Sequence, residues 1–118
     1  VNDTGVKSVT GLKGDSVTLY TDVPDIQRYA VIRWWFGQQN STIAEINRTP
    51  SDEKTGRNFN TYYGPDERFR DRLQLDNQTG SMTIRNIETS HSGIYEAEII
   101  SSSRKHTIHK SFTVTVGE

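Results

Sequence analysis

The side chains best suited to chemistry in this chain are three histidines, His91, His106 and His109, and the acidic groups Asp22, Asp25 and the adjacent pair Asp66-Glu67. Imidazole and carboxylate are the usual partners in general acid–base catalysis, and both bind divalent cations. Their spacing favours neither role. His106 and His109 stand three apart in a stretch that reads as a strand. Alternation then sends them to opposite faces, and one metal ion cannot take both. The acidic residues lack the regular spacing of a calcium loop. The chain has no cysteine to act as nucleophile or soft ligand, and neither Gly-x-Ser-x-Gly nor a phosphate-binding glycine loop occurs. The expectation is a non-enzyme with no metal and no cofactor.

A second kind of chemistry is covalent modification. Asn2, Asn40, Asn47 and Asn77 each open an Asn-x-Thr sequon, the acceptor pattern for N-linked glycans in secreted and surface proteins. A chain without cysteine would otherwise suit the reducing cytosol. Four sequons in 118 residues tip the expectation to the extracellular side of the cell surface. The net charge of −1, with both signs interspersed, offers no basic footprint for nucleic acid or a membrane surface. No apolar run approaches the ~18 residues of a spanning helix, and no stretch of the sequence reads as a signal peptide. Residues 1–118 are thus expected to form one domain of a mature ectodomain, with membrane attachment through segments outside it.

The elements that carry these residues follow a period of two, with no helical periodicity of helix length. "DSVTLYTDV" places Val17, Leu19, Thr21 and Val23 on one face. "VIRWWFG" sets Ile32, Trp34 and Phe36 against Arg33 and Trp35, and "TIAEIN" sets Ala44 and Ile46 against Ile43, Glu45 and Asn47. "SMTIRNI" turns Met82 and Ile84 inward, with Ile87 following. "GIYEAEII" sets Tyr95, Ala97 and Ile99 against Glu96, Glu98 and Ile100, and "SFTVTV" aligns Phe112, Val114 and Val116. Turn residues separate the runs at Lys13-Gly14-Asp15 and at residues 76–80. Residues 48–68 read as a long polar passage holding a short edge strand near Phe59 to Tyr63. Eight or nine short strands with polar outer sides predict an all-β fold, an antiparallel two-sheet sandwich.

Several stretches together narrow the type. An inward Trp34 follows the "VTLYTDV" strand, and Tyr95 precedes Ala97 by two, as the buried tryptophan and the corner tyrosine do in immunoglobulin domains. With "KGDSVTLYTDV", "IRWWFG", "TIAEI", "RFRDRLQLDNQTGSMTIRNI" and "SGIYEAEI", most of the chain resembles the N-terminal variable-type domain of the SLAM-type leukocyte adhesion receptors. That domain characteristically lacks the inter-sheet disulfide. The resemblance implies a V-type immunoglobulin sandwich in which Thr21 and Ala97 occupy the two bridging positions as core residues. One departure is His91, which stands where the pattern has an aspartate paired with an arginine, here Arg68. The resemblance further implies that the sheet of strands G, F, C and C′ meets a counterpart on an apposed cell, either another immunoglobulin-family receptor or a weakly bound copy of itself.

With no catalytic constellation, outward residues become the candidate site. Trp35 points away from the core if Trp34 points in, and an exposed indole is a typical interface anchor. On its sheet face the alternation places Arg33, Ile43, Glu45, Glu96, Glu98 and Ile100, joined by His109 and Ser111 from the last strand. Mixed charges around an indole suit a two-fold contact in which Arg33 of one copy meets Glu96 or Glu98 of another. A glycan on Asn47, which shares the parity of Glu45, would project from the same face. A second possibility is loop-end recognition of a soluble or pathogen ligand by "DVPDIQRYA" and "SSSRKHTIH", and a third is a spacer domain with no binding surface.

Overall fold

The computed structural model describes residues 6–23, 29–37, 41–47, 60–76, 78–101 and 105–117. Among these are nine strands: β1 (Val6–Leu12), β2 (Val17–Leu19), β3 (Tyr29–Phe36), β4 (Ser41–Asn47), β5 (Asn60–Tyr63), β6 (Leu73–Leu75), β7 (Met82–Ile84), β8 (Gly93–Ser101) and β9 (Thr107–Gly117). They form one sheet in the order β1-β9-β8-β3-β4-β5 and a smaller one in the order β2-β7-β6. Every pairing is antiparallel except β1 with β9, where Val6 to Leu12 run alongside Ser111 to Gly117. This is the two-sheet sandwich expected from the alternation, of the V-type that the resemblance implies, and it contains no cysteine.

The inward residues of both sheets meet in one core. From the larger sheet, Trp34, Ile32 and Phe36 of β3 stand beside Tyr95, Ala97 and Ile99 of β8 and Phe112 and Val114 of β9, and Leu19, Met82, Ile84 and Ile87 come from the opposite layer. Trp34 is the largest fully buried side chain, at 0% exposure, and its ring centroid lies 5.4 Å from that of Phe112. Its one polar atom is satisfied across the layers, where Nε1–H donates to the Gly80 carbonyl in the β6–β7 turn at 3.1 Å.

β2 is shorter than its alternating run: it ends at Leu19, and at Asp22 the backbone takes a left-handed φ of 53°. Thr21, just beyond the strand, is nevertheless fully buried. Its Oγ1 hydroxyl donates to the Thr79 carbonyl at 2.6 Å, and its backbone N–H donates to Ser81 Oγ at 3.1 Å. Both bonds land in the turn that also receives the Trp34 indole. Hydrogen bonds to one turn thereby tie this part of the interior together, in a domain with no covalent bridge.

His91 organises the opposite corner. It is fully buried in a one-turn 3-10 helix, Thr89–His91, stacked on Phe69 with ring centroids 5.1 Å apart. Nδ1 accepts from the Glu88 backbone N–H at 2.9 Å, so the remaining ring nitrogen, Nε2, carries the proton toward the Arg68 carbonyl at 2.5 Å. The Tyr95 hydroxyl donates to the His91 carbonyl at 2.6 Å, closing the corner. Desolvation pushes the Tyr95 phenol far above its ordinary range, which keeps this donor protonated. Arg68, lacking an aspartate at 91, pairs instead with Asp66: Nη2 lies 2.6 Å from Oδ2 and Nε lies 3.0 Å from Oδ1. Its guanidinium also lies 4.7 Å from the Phe36 ring centroid.

That pair carries a pH dependence. Hydrogen bonding to Arg68 holds the Asp66 carboxyl below its ordinary value of 3.8. A group depressed on folding contributes stability that is complete above its unfolded value and lost as pH falls through the folded one. Stability of the wild type should therefore decline as pH drops below about 4, and Asp66→Asn should flatten part of that decline. Urea denaturation between about pH 2.5 and pH 6 measures it, and parallel curves for the two proteins would contradict the assignment.

Candidate functional site: the outward face of the larger sheet

Register places the outward residues in three cross-strand rows. The central row runs His109 (β9), Glu98 (β8), Arg33 (β3), Glu45 (β4) and Tyr62 (β5). Above it stand Ser111, Glu96, Trp35 and Thr42, and below it Thr107, Ile100, Val31, Asn47 and Asn60. β8 and β9 pair without a bulge, so His109 lies directly opposite Glu98 and shares its face.

The charges of the central row are already engaged with one another. Arg33 Nε lies 2.6 Å from Glu45 Oε1, both side chains being partly buried. The Arg33 guanidinium carbon lies 5.8 Å from the Trp35 ring centroid, within cation–π range. His109 Nδ1 lies 3.8 Å from Glu98 Oε2. Trp35 itself is half-buried, its indole flanked by Glu96 on β8 and Thr42 on β4. Glu96 is exposed, and Ile100 and Ser111 are half-buried. The indole is thus held beside an arginine already paired with a carboxylate, and a side chain ordered in this way has little freedom left to lose.

One expected member does not belong. Simple alternation places Ile43 outward, but it is 1% exposed and part of the core. The cause is a bulge: Trp34 faces Ala44 whereas Trp35 faces Thr42, which leaves Ile43 as the extra residue of β4. The insertion turns Ile43 and Ala44 both inward and brings Thr42 onto the outer face. The face also holds one residue that sequence reasoning missed. Tyr62, 52% exposed, joins it through the β4–β5 register, while its neighbour Tyr63 points the other way and accepts from the Leu75 N–H of β6 at 3.0 Å. Val31 shares the parity of Arg33 yet is buried. For Tyr62 the only sequence signal was an aromatic in a short alternating run, whose phase no local feature sets.

Asn47 is exposed on this face at the end of β4, opposite Asn60. Asn2, Asn40 and Asn77 lie outside the described residues, as do most of "DVPDIQRYA" and Ser102 to Arg104 of the β8–β9 hairpin. Among the described residues no group of three or more histidine, aspartate or glutamate side chains could hold a metal ion. His91 is buried in its corner, while His106 sits at the hairpin where Ser101 N–H donates to its carbonyl at 2.9 Å. No described helix is long and apolar enough to cross a membrane. A cavity of about 490 Å³ is lined by Tyr63, Phe69, Arg70, Leu73 and Arg85 among others, without a nucleophile beside a base.

Comparison with known proteins agrees with this architecture. The crystal structure of CD84, described for its insight into SLAM family function, superposes with a TM-score of 0.76 at 16% identity, covering 97% of this chain and 99% of that one. The first immunoglobulin-like domain of human CD48 gives 0.75 at 18% identity, covering 98% and 85%. The CD2-binding domain of CD58, lymphocyte function-associated antigen 3, gives 0.63 at 25% identity, covering 95% of this chain and 54% of that one. No curated protein sequence matches the chain. The likeness to these three domains is one of fold. The immunoglobulin V-set domain family matches residues 4–117, and the chain belongs to it.

Proposed function

We propose that this V-set domain is the recognition module of a cell-surface adhesion or immune receptor of SLAM type, and that it docks onto another immunoglobulin-family domain through the outward face of β9, β8, β3 and β4. The observation that carries the reading is Trp35: a half-buried indole at the centre of a sheet face, held by Arg33 and ringed by charge of both signs. Aromatic anchors with polar surrounds are the common anatomy of interface hot spots. The similarity to the CD2-binding domain of CD58 supports the same use of the fold. Charge on the face sets partner choice and on-rate more than affinity, so the contact is weak and reversible.

Trp35→Ala tests it. The residue lies outside the core, so folding stability should change by less than about 1 kcal/mol. Binding should weaken by about thirtyfold, the scale of a hot-spot truncation. Analytical ultracentrifugation reads self-association, and surface plasmon resonance against a panel of SLAM-type V-set domains reads heterotypic binding. Unchanged association in both assays would remove the face from consideration.

A further inference from the structure

We propose that the partner of this face is a different chain presenting a basic docking surface, and not a second copy of this one. The inference rests on the docking face assigned above and concerns which occupant it fits.

The described charged groups that register places on the outward side of the four docking strands are Arg33, Glu45, Glu96, Glu98 and His109; Lys110 of β9 stands opposite the inward Ala97 and so has the other parity. One arginine against three glutamates leaves two negative charges while His109 is neutral. The sole arginine is already committed, with Nε 2.6 Å from Glu45 Oε1 and the guanidinium beside the Trp35 ring. Glu98 has His109 at 3.8 Å, and its side chain is only 22% exposed. Glu96 is exposed next to Trp35 and has no hydrogen-bond or ion-pair partner among the described residues.

A two-fold contact is self-complementary: whatever one copy offers, the other must receive on the same patch. Here each copy would bring Glu96 and Glu98 of the central strand β8 against a surface whose one arginine is occupied. Breaking the Arg33–Glu45 pair to serve the opposite copy only exchanges one partner for another and strands Glu45. Desolvating an unpaired carboxylate is unfavourable, and like charges facing across an interface discriminate against that partner. Lysines or arginines opposite β8 on a different chain remove both penalties and leave the internal pair intact. The indole is then the anchor common to any partner, and the β8 glutamates are the selectors.

The charge-reversed double variant Glu96→Lys/Glu98→Lys serves as the basic probe, because it presents the same face with inverted selector charge. Both side chains point outward, and circular dichroism confirms the fold. Sedimentation velocity compares the wild type alone, the variant alone and their equimolar mixture, each repeated with Trp35→Ala. The mixture is expected to associate at least about tenfold more tightly than the wild type with itself, and to weaken as salt rises from about 50 to about 500 mM. The neutral variant Glu96→Gln/Glu98→Gln should also self-associate more tightly than the wild type. Wild-type self-association that Trp35→Ala abolishes and the charge variants fail to strengthen would overturn the inference while leaving the docking face in place. A mixture no tighter than the wild type would overturn it too. Association insensitive to Trp35→Ala in every mixture would overturn both the inference and the face.

Discussion

Trp34→Ala should remove much or all of the domain's stability, lowering it by about 4–7 kcal/mol. Emptying a fully buried indole site costs about 3–5 kcal/mol in lost transfer energy and residual cavity. Truncation also leaves the Gly80 carbonyl without the indole N–H donor it now has at 3.1 Å, a further ~1–2 kcal/mol for a buried acceptor. The margin is small to begin with, since single domains fold with about 5–15 kcal/mol in hand. With no cysteine in the chain, no disulfide restrains the unfolded state, a contribution of typically ~2–4 kcal/mol where one exists. Trp34→Phe separates the parts: it keeps most of the apolar volume, loses the hydrogen bond, and should cost about 2 kcal/mol. Urea midpoints for the three proteins give the measurement. A loss below about 1 kcal/mol for the alanine variant would mean that the indole does not centre the core.

His91→Ala is the second large effect, at about 3 kcal/mol. The imidazole bonds two backbone groups from different segments, the Glu88 N–H and the Arg68 carbonyl, and stacks on Phe69. Alanine leaves both groups short of a partner beside a cavity. The damage should spread, because the same turn positions the carbonyl that Tyr95 binds at 2.6 Å. Hydrogen exchange should accelerate at Tyr95 and through the start of β8, whereas β4 and β5, remote in the sheet order, should keep their protection. His91→Leu fills most of the volume and restores neither bond, so it should recover less than half of the loss. A leucine variant as stable as the wild type would show the corner to be held by packing alone.

The opposite outcomes expected for Trp34 and Trp35 reflect how the sandwich was legible before any coordinates. Adjacent residues on a strand point to opposite sides, so two neighbouring tryptophans must divide between core and surface. The neighbours of Trp34 at 32 and 36 are apolar, and that parity decides which goes in. The same rule places Tyr95, Ala97 and Ile99 opposite Glu96, Glu98 and Ile100. It failed at Ile43, where the period of two is interrupted. Both Ile43 and Ala44 are apolar enough to lie inside, and nothing in "STIAEIN" marks the extra residue, because a bulge is defined by the partner strand.

The corner around His91 was half legible in the same way. A histidine in place of the expected aspartate signalled that the pairing with Arg68 had to change. That the guanidinium turns to Asp66, two residues away in its own 3-10 turn, and that the imidazole takes up the Arg68 backbone carbonyl, came from chain segments 23 residues apart in sequence. β2 likewise looked longer than it is, since its alternation continues to Val23 while Asp22 already leaves the extended region.

Local chemistry was enough to read an all-β chain and the identity of most inward residues, and the family resemblance added the V-type frame without its sulfur bridge. Those properties depend on which residue stands next to which along the chain, and strand alternation converts that order directly into two faces. The composition of the outward surface was decided by folding. Whether Arg33 is free or clamped by Glu45, whether Ile43 shows or hides, and whether Tyr62 joins Trp35 all depend on register between strands far apart in sequence. A slip of one residue exchanges the two faces of a strand. The core resists such slips because burying a polar side costs several kcal/mol, so the inside can be read from pattern. The outside carries no such penalty, and only the assembled sheet settles it.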